Sequence, residues 1–282
     1  MPDPVKLQTL IRSAVAATRS TPGRLGRTLT LPADTREVIV AGDLHGHVGH
    51  FQTIFRCAEL AKNPYRHLVL QELIHSPFRY PDDSDKSHQL IDLFCLLKSQ
   101  FPARVHYIPG NHELAQRYDQ PVIKNDDEFN DLFRRGITTA YGSHSQAVYD
   151  GYLMLFDALP LAIRLPNRVF LSHSLPRARF LETFDLKVLE ADAIAREEFS
   201  AGGSVHSLVW GRDTSEANSD AFLRKIDADR LVTGHIVQDE GFLFASPRHL
   251  IVDGSHSPAA FAMIPAERVL TDDDFRACVR TI

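Results

Sequence analysis

Along the first 110 residues, continuous apolar runs alternate with stretches whose apolar positions recur every three or four places. The runs at 37–41 (EVIVA), 67–71 (HLVLQ) and 104–108 (RVHYI) predict buried strands. Between them, Phe51, Ile54, Phe55 and Ala58 predict a helix over 48–61. Leu90, Leu93, Phe94 and Leu97 predict another over 86–100. Further strand-like runs stand at 160–165, 168–172, 229–233, 241–245, 248–252 and 259–264. The stretch 112–157 carries no strand signal and reads as helices. Within it, NDDEFNDLFRRG (125–136) opens on Asn and acids and closes on Arg-Arg-Gly. Val5, Leu7, Ile11 and Val15 predict an amphipathic helix lying on the domain, and Thr271-Asp272 predicts a closing helix near 270–280. The order is a βαβαβ half, then helices, then a β-rich half. It predicts a mixed α/β (α+β) fold in which two packed sheets carry helices outside.

The residues just past the strands are less ordinary. Val40 leads into Gly42-Asp43-Leu44-His45, and Leu70 into Gln71-Glu72. Ile108 leads into Pro109-Gly110-Asn111-His112-Glu113, Leu171 into Ser172-His173, and Val232 into Thr233-Gly234-His235. Each alone has a bland explanation: an Asx turn, a helix cap, or a hydrogen-bonded core histidine. Together, five strands deliver an oxygen or imidazole donor at the C-terminal sheet edge, where open α/β sheets place their sites. Carboxylate, imidazole and amide oxygen without thiolate suit Mn²⁺, Fe or Zn²⁺ rather than a structural zinc cage. A shared carboxylate can hold two such ions, and a water bridging them becomes a hydroxide nucleophile near neutral pH. The glycines beside Asp43, Asn111 and His235 allow tight turns and close approach.

The formal charge of −5, with no basic block, argues against nucleic acid or an anionic membrane as partner. Residues 1–20 lack a long apolar core, so neither a signal peptide nor a membrane span is expected there. Cys57, Cys95 and Cys278 are scattered and read as reduced core residues of a cytoplasmic protein, the first two on apolar helix faces. None stands in the HCx5R pattern of thiol phosphatases. No linker or internal repeat divides the chain, which reads as a single domain over 1–282 with a core at about 37–265 and a helical insertion at about 114–157.

GDLHGH (42–47), GNHE (110–113), the strand-borne His173 and VTGH (232–235) resemble the calcineurin-like metallophosphoesterase superfamily, and within it the phosphoprotein phosphatase family. LVWGRD (208–213) and the segments after VTGH are most similar to the bacterial and Shewanella-like branches. The resemblance spans about 37–265 and implies a β-sandwich of mixed sheets. It also implies Asp43 and His45 on a first metal, Glu72 bridging two, and Asn111, His173 and His235 completing the second. His112 would protonate the leaving alkoxide. Arg212 would grip the phosphate, or else pair with Asp213 or Glu216 at the surface.

One block departs from the pattern. Where the family has GDxxDRG, this chain has QELIHSP at 71–77. The bridging Asp becomes Glu72. The acid behind the catalytic histidine becomes His75, so Glu113 or an acid from 126–128 is expected to stand in. The arginine becomes Ser76, with Arg79 or Arg177 as replacements. The six aromatics of the insertion, Tyr118, Phe129, Phe133, Tyr141, Tyr149 and Tyr152, are expected mostly in the core, the rest as a lid. Such a chain is expected to be a metal-dependent phosphatase acting on a phosphorylated protein or small phosphoester. A phosphodiesterase or nucleotide pyrophosphatase on the same fold, or a non-catalytic metal- and phosphopeptide-binding regulator, are the alternatives.

Overall fold

The structure, a computed structural model, describes residues 3–124 and 127–282. Asp3 accepts the Val5 and Lys6 N–H groups and so starts α1 (Pro4–Arg19). Its buried stripe is Leu7, Ile11 and Ala14, so the expected face is rotated: Val5 is exposed and Val15 only partly covered. A short hairpin follows, β1 (Arg24–Leu25) and β2 (Thr28–Thr30). The predicted βαβαβ unit is then β3 (Glu37–Asp43), α2 (Val48–Ala58), β4 (Arg66–Gln71), α3 (His88–Gln100) and β5 (Val105–Ile108), its three strands parallel.

The insertion contains α4 (Asn111–Tyr118), α5 (Phe129–Tyr141) and α6 (Ser145–Ala158). It is not purely helical: β6 (Ile123–Lys124) and β7 (Asp127–Glu128) pair antiparallel. Asn125 and Asp126, where the helix was expected to open, lie outside the described residues. The observed cap is Glu128, which accepts the N–H groups of Asn130 and Asp131. Nor does the helix close at Gly136. A Cβ there would lie 1.8 Å from the Asp85 carbonyl oxygen, so this glycine serves close packing rather than a stop. Phe133, Tyr141 and Tyr152 are buried in the main core, as expected of the insertion's aromatics. Tyr118 and Tyr149 are half-buried against the hydrophobic clusters and Phe129 against His75, so these rings pack on the body instead of forming a separate lid.

β8 (Ala162–Arg164) and β9 (Val169–Ser172) precede α7 (Ala178–Leu181), α8 (Lys187–Glu190), α9 (Ser204–Trp210) and α10 (Glu216–Ile226), helices that the apolar pattern had not predicted. β10 (Arg230–Thr233), β11 (Phe242–Ser246), β12 (His249–Val252) and β13 (Ala260–Pro265) complete the β-rich half. The closing helix starts at the Thr271 cap as predicted, but α11 (Asp272–Arg276) is short. The chain then pairs as β14 (Val279–Thr281) against β13.

Two sheets result, ordered β1-β2-β8-β9-β10-β12-β11 and β14-β13-β3-β4-β5. Alternate residues of the strands face different layers. Val38, Val40, Val69 and Ile108 meet Ile163, Leu171, Val232 and Val252 between the sheets. On the opposite face, Ile39, Ala41, Leu68 and Leu70 lie under α1, α3 and α6. Phe170 and Leu231 lie under α9 and α10. The helix–sheet–sheet–helix sandwich explains the continuous apolar runs, because central strands are covered on both sides. Cys95 and Cys278 are buried thiols, but Cys57 faces solvent, against expectation. No helix among the described residues is long and apolar enough to cross a membrane.

Candidate active site

The C-terminal ends of β3, β4, β5, β9 and β10 meet at one edge of the sandwich, and the backbone there is unusual. His45, Glu72, His75 and His235 all have positive φ, at 39°, 34°, 63° and 68°. Non-glycine residues in this region are uncommon, and such strain persists where the surrounding fold dictates it. Here it turns each side chain abruptly off its strand toward a common centre.

Around His173 Nε2 stand Asn111 Oδ1 at 3.1 Å, His235 Nδ1 at 3.2 Å and Glu72 Oε2 at 3.5 Å. Glu72 Oε2 is also 3.4 Å from His45 Nε2, so one carboxylate faces both groups. The Nδ1–H of His45 donates to the Ile74 carbonyl at 2.7 Å, so Nε2 is the ring nitrogen turned to Glu72. Asp43 lies beside these donors, 3.6 Å from His173 Nδ1, but its two oxygens accept the His235 backbone N–H at 3.0 and 2.9 Å. Gly110 and Gly234 make this crowding feasible. A Cβ on either would come within 2.1 Å of Glu72 Oε1 or 2.2 Å of Asp43 Oδ1. The extra methylene of Glu72 is thus taken up against Gly110, and its Oε1 accepts the His112 N–H at 2.9 Å.

The electrostatics call for positive charge. Burial, with Glu72 close by, raises Asp43 well above the usual carboxylate range. Burial would raise Glu72 too, but the imidazoles of His173, His112 and His45 hold it well below that range. Burial opposes a charged His45, yet the Glu72 carboxylate pushes it up to about 10. His173 is lowered by burial to about 4, and His235 is lowered well below the usual histidine value for the same reason. Both are therefore neutral imidazoles, the form that ligates metals. His173 Nδ1 and His235 Nε2 are buried without a hydrogen-bond partner among the described residues. Buried polar atoms are ordinarily satisfied. Converging oxygen and nitrogen donors, a shared carboxylate and orphaned ring nitrogens fit a dinuclear cation site.

Behind His112 the structure departs from expectation. Glu113 is no partner for it, because its carboxylate accepts from Leu73 N, Ile74 N, the Tyr107 hydroxyl and Gly110 N. Burial, with Glu72 nearby, pushes Glu113 up to about 7. Asp127 is 3.2 Å from Arg79, Glu128 caps α5, and Asp126 lies outside the described residues. The group against His112 is His75 itself, with Nδ1 to Nδ1 at 2.7 Å. Burial, then the neighbouring His112, holds His75 well below the usual histidine value and hence neutral.

Ser76 is buried, its N–H donating to Asp85, so this position sends nothing toward phosphate. Arg79 turns to Asp127 instead. Arg177 and Arg212 line one cavity of about 220 Å³ with His206 and Trp210. The surface pairing considered for Arg212 does not form, since Asp213 accepts instead from Ala178 N and from the Ser215 hydroxyl and N–H. Trp210, inside the LVWGRD motif, stands 6.4 Å from His112 and 6.1 Å from His235 between ring centroids. It is a wall of the site that the sequence reading missed, and its being the chain's single tryptophan was the available signal. His47 caps α2 and stacks on His50, which makes it a structural residue.

Comparison with known proteins gives a consistent result. The profile described as calcineurin-like phosphoesterase matches residues 37–239. A probable serine/threonine-protein phosphatase of Encephalitozoon cuniculi is 25% identical over 257 residues, 81% of this chain and 50% of that protein. A putative serine/threonine-protein phosphatase of Schizosaccharomyces pombe is 26% identical over 184 residues, 61% of this chain and 48% of that one. The chain thus spans about half the length of the curated relatives it matches. Among solved structures, a protein serine/threonine phosphatase from Saccharomyces cerevisiae superposes with a TM-score of 0.69 at 17% identity, covering 100% of this chain and 89% of that one. A cold-active protein-tyrosine phosphatase of a Shewanella species gives 0.59 at 14%, covering 94% and 83%. These superpositions agree on the fold.

Proposed function

The chain belongs to the calcineurin-like phosphoesterase family, and from that premise we propose that it is a metal-dependent phosphatase hydrolysing phosphomonoesters, those of phosphorylated proteins included. The observation that carries the reading is the convergence of Asn111 Oδ1, His235 Nδ1 and Glu72 Oε2 within 3.5 Å of His173 Nε2. Asp43 and His45 would hold a first ion and Asn111, His173 and His235 a second, with the Glu72 carboxylate available to both. Two bound divalent ions, Mn²⁺, Fe or Zn²⁺, supply Lewis acidity toward phosphate oxygens and a water acidic enough to attack near neutral pH.

The protein's own groups do the rest. The Ile74 carbonyl fixes the His45 tautomer, and the His235 N–H orients Asp43. The Glu72 carboxylate fixes the start of α4 through the His112 N–H, so the ligand and the acid are held in one frame. Arg212, joined by Arg177 in the cavity beside Trp210, binds phosphate oxygens in pairs. His112 delivers a proton from Nε2 to the leaving oxygen, because Nδ1 is engaged by His75. The unpaired state of Cys57, Cys95 and Cys278 supports a reducing, cytoplasmic setting for this chemistry.

The test is hydrolysis of p-nitrophenyl phosphate by chelator-stripped protein titrated with Mn²⁺, alongside Asp43→Asn and His235→Ala. Turnover that appears with metal and vanishes in both variants supports the proposal. Metal binding with no turnover, coupled to tight phosphopeptide binding, supports the regulator instead. Faster turnover of bis-nucleotide polyphosphates or cyclic nucleotides than of monoesters supports the phosphodiesterase reading.

A further inference from the structure

His75 does not end the chain of contacts behind His112. Its Nε2 lies 3.3 Å from Gln116 Oε1 on α4, and Gln116 Nε2 donates to the Tyr149 hydroxyl oxygen on α6 at 2.7 Å. Arg134 on α5 donates its Nε–H to the same oxygen at 3.0 Å and is held by Asp119 at 2.6 Å. Gln116 is buried at 1% exposure, and the rings of Phe129 and Phe133 pack against His75.

This line has a direction. A guanidinium only donates, so the Tyr149 oxygen accepts from Arg134, and the Gln116 amide is placed with its Nε2 on the same oxygen and its Oε1 toward His75. With that carbonyl facing it, His75 must carry its hydrogen on Nε2. The Nδ1 of His75 is then an acceptor, and the hydrogen in the 2.7 Å contact belongs to His112 Nδ1. A neutral imidazole thereby does part of what a carboxylate would do: it fixes the His112 tautomer and leaves Nε2 facing the reaction.

We propose that Gln116 and Tyr149 are positioning residues that set the His75 tautomer and, through it, hold His112 by Nδ1–H so that Nε2, which carries the transferable proton when the ring is charged, faces the leaving group. The insertion is then the anchor of this line rather than a lid. The proposal rests on His112 being the general acid.

The first measurement needs no turnover. Long-range ¹H–¹⁵N spectra of the histidines in the full-length protein report which ring nitrogen of His75 bears hydrogen. Nε2–H is expected, and Nδ1–H overturns the proposal. The second compares the Mn²⁺-loaded protein on phenyl phosphate and p-nitrophenyl phosphate, whose leaving groups need much and little protonation. Gln116→Leu is expected to slow phenyl phosphate about 10-fold more than the nitrophenyl ester, the scale of a lost orienting partner. Gln116→Glu, which still accepts from His75, keeps the wild-type ratio, and Tyr149→Phe shifts it in the same sense as Gln116→Leu but less. Equal slowing of both esters by Gln116→Leu reduces Gln116 to a packing residue and overturns the proposal. A Gln116→Glu ratio as poor as that of Gln116→Leu means that the line runs the other way. If the wild type turns over neither ester while His75 bears Nε2–H, the phosphatase reading fails and the hydrogen-bond assignment stands.

Discussion

Strands β4 and β5 each carry a buried histidine in the strand and a candidate site residue beyond its end: His67 before Glu72, and His106 before Asn111. The two ends are alike in burial and differ in what faces the rings. At the lower end, His67 Nδ1 and His106 Nε2 share a hydrogen bond of 3.0 Å, and His67 Nε2 lies 3.4 Å from Thr35 Oγ1. His249 on β12 is similar, with Ser219 Oγ at 3.0 Å and Thr233 Oγ1 at 2.9 Å on its two nitrogens. Nearby Lys98 donates to Thr21 Oγ1 and to the Pro102 and Val105 carbonyls, and burial still lowers it to about 7. Every hydrogen-bond partner named in this group is neutral. At the upper end, imidazoles face carboxylates, two ring nitrogens have no hydrogen-bond partner among the described residues, and the backbone is strained. A buried histidine whose nitrogens are satisfied by hydroxyls and rings is a structural residue. His173 and His235, each with one ring nitrogen orphaned and the other turned into the cluster around Glu72, are what the proposed cation site requires.

The comparison breaks most sharply under metal removal. Chelation, or His235→Ala, is expected to abolish phosphatase turnover while leaving the fold intact by circular dichroism. His249→Ala should do the reverse, keeping turnover at low temperature and lowering the unfolding midpoint, because it empties a fully buried site. If His249→Ala abolished turnover in folded protein, the division between the two groups would be wrong.

His112→Asn comes next. General acids contribute about 10²–10⁴-fold, so turnover of phenyl phosphate should fall within that range. Turnover of p-nitrophenyl phosphate should fall far less, since its leaving group departs without help. Equal losses on both esters would make His112 a binding residue, a role its position within reach of His45 and Glu72 also permits.

The structural histidines predict a pH effect of definite sign. Burial keeps His67 neutral down to about 4 and His249 down to about 3, whereas an unfolded histidine titrates near 6.5. Below about 6.5 the unfolded chain binds protons that the folded chain refuses, so stability falls as the solution is acidified. Each such ring contributes a slope of up to about 1.4 kcal/mol per pH unit between its two pKa values. His249→Gln removes one such ring and its slope. Urea midpoints of the wild type and this variant, followed from pH 7 down to pH 4, should therefore converge as acid erodes the wild type's advantage. Parallel curves would show that His249 takes up its proton in the folded state.

How far these features were legible in the sequence depends on their physics. Both-face burial writes itself as a continuous apolar run, so β3, β4, β5, β9, β10 and β12 could be read. The strands of β1 and β2 are two and three residues long and carry no period. The start of α11 was legible in its Thr271 cap, but not its end, because pairing of Val279 with Ala262 is a tertiary event. In the site, the candidate metal ligands announce themselves by their place directly after strands. Gln116 and Tyr149 do not: they lie on helices, far from His75 in sequence, and resemble any polar helix residue. Read as a sequence, His75 is the loss of an acid. Only the fold supplies the Gln116 carbonyl that makes its Nδ1 an acceptor.

That substitution also yields the smallest and most pointed prediction. In His75→Asp a carboxylate replaces a neutral acceptor behind His112 and favours the charged, proton-donating form of that ring. The shorter side chain gives up the contact with Gln116 Oε1, which as an acceptor has nothing to offer a carboxylate. A rise of about 3-fold on phenyl phosphate at neutral pH, with p-nitrophenyl phosphate unchanged, is the expected balance. No rise would mean that the hydrogen-bonded line through Gln116 and Tyr149 already holds His112 as well as a carboxylate does. A loss on both esters would place His75 in the support of the Glu72 loop, where its N–H to Ser87 Oγ at 3.1 Å already ties it.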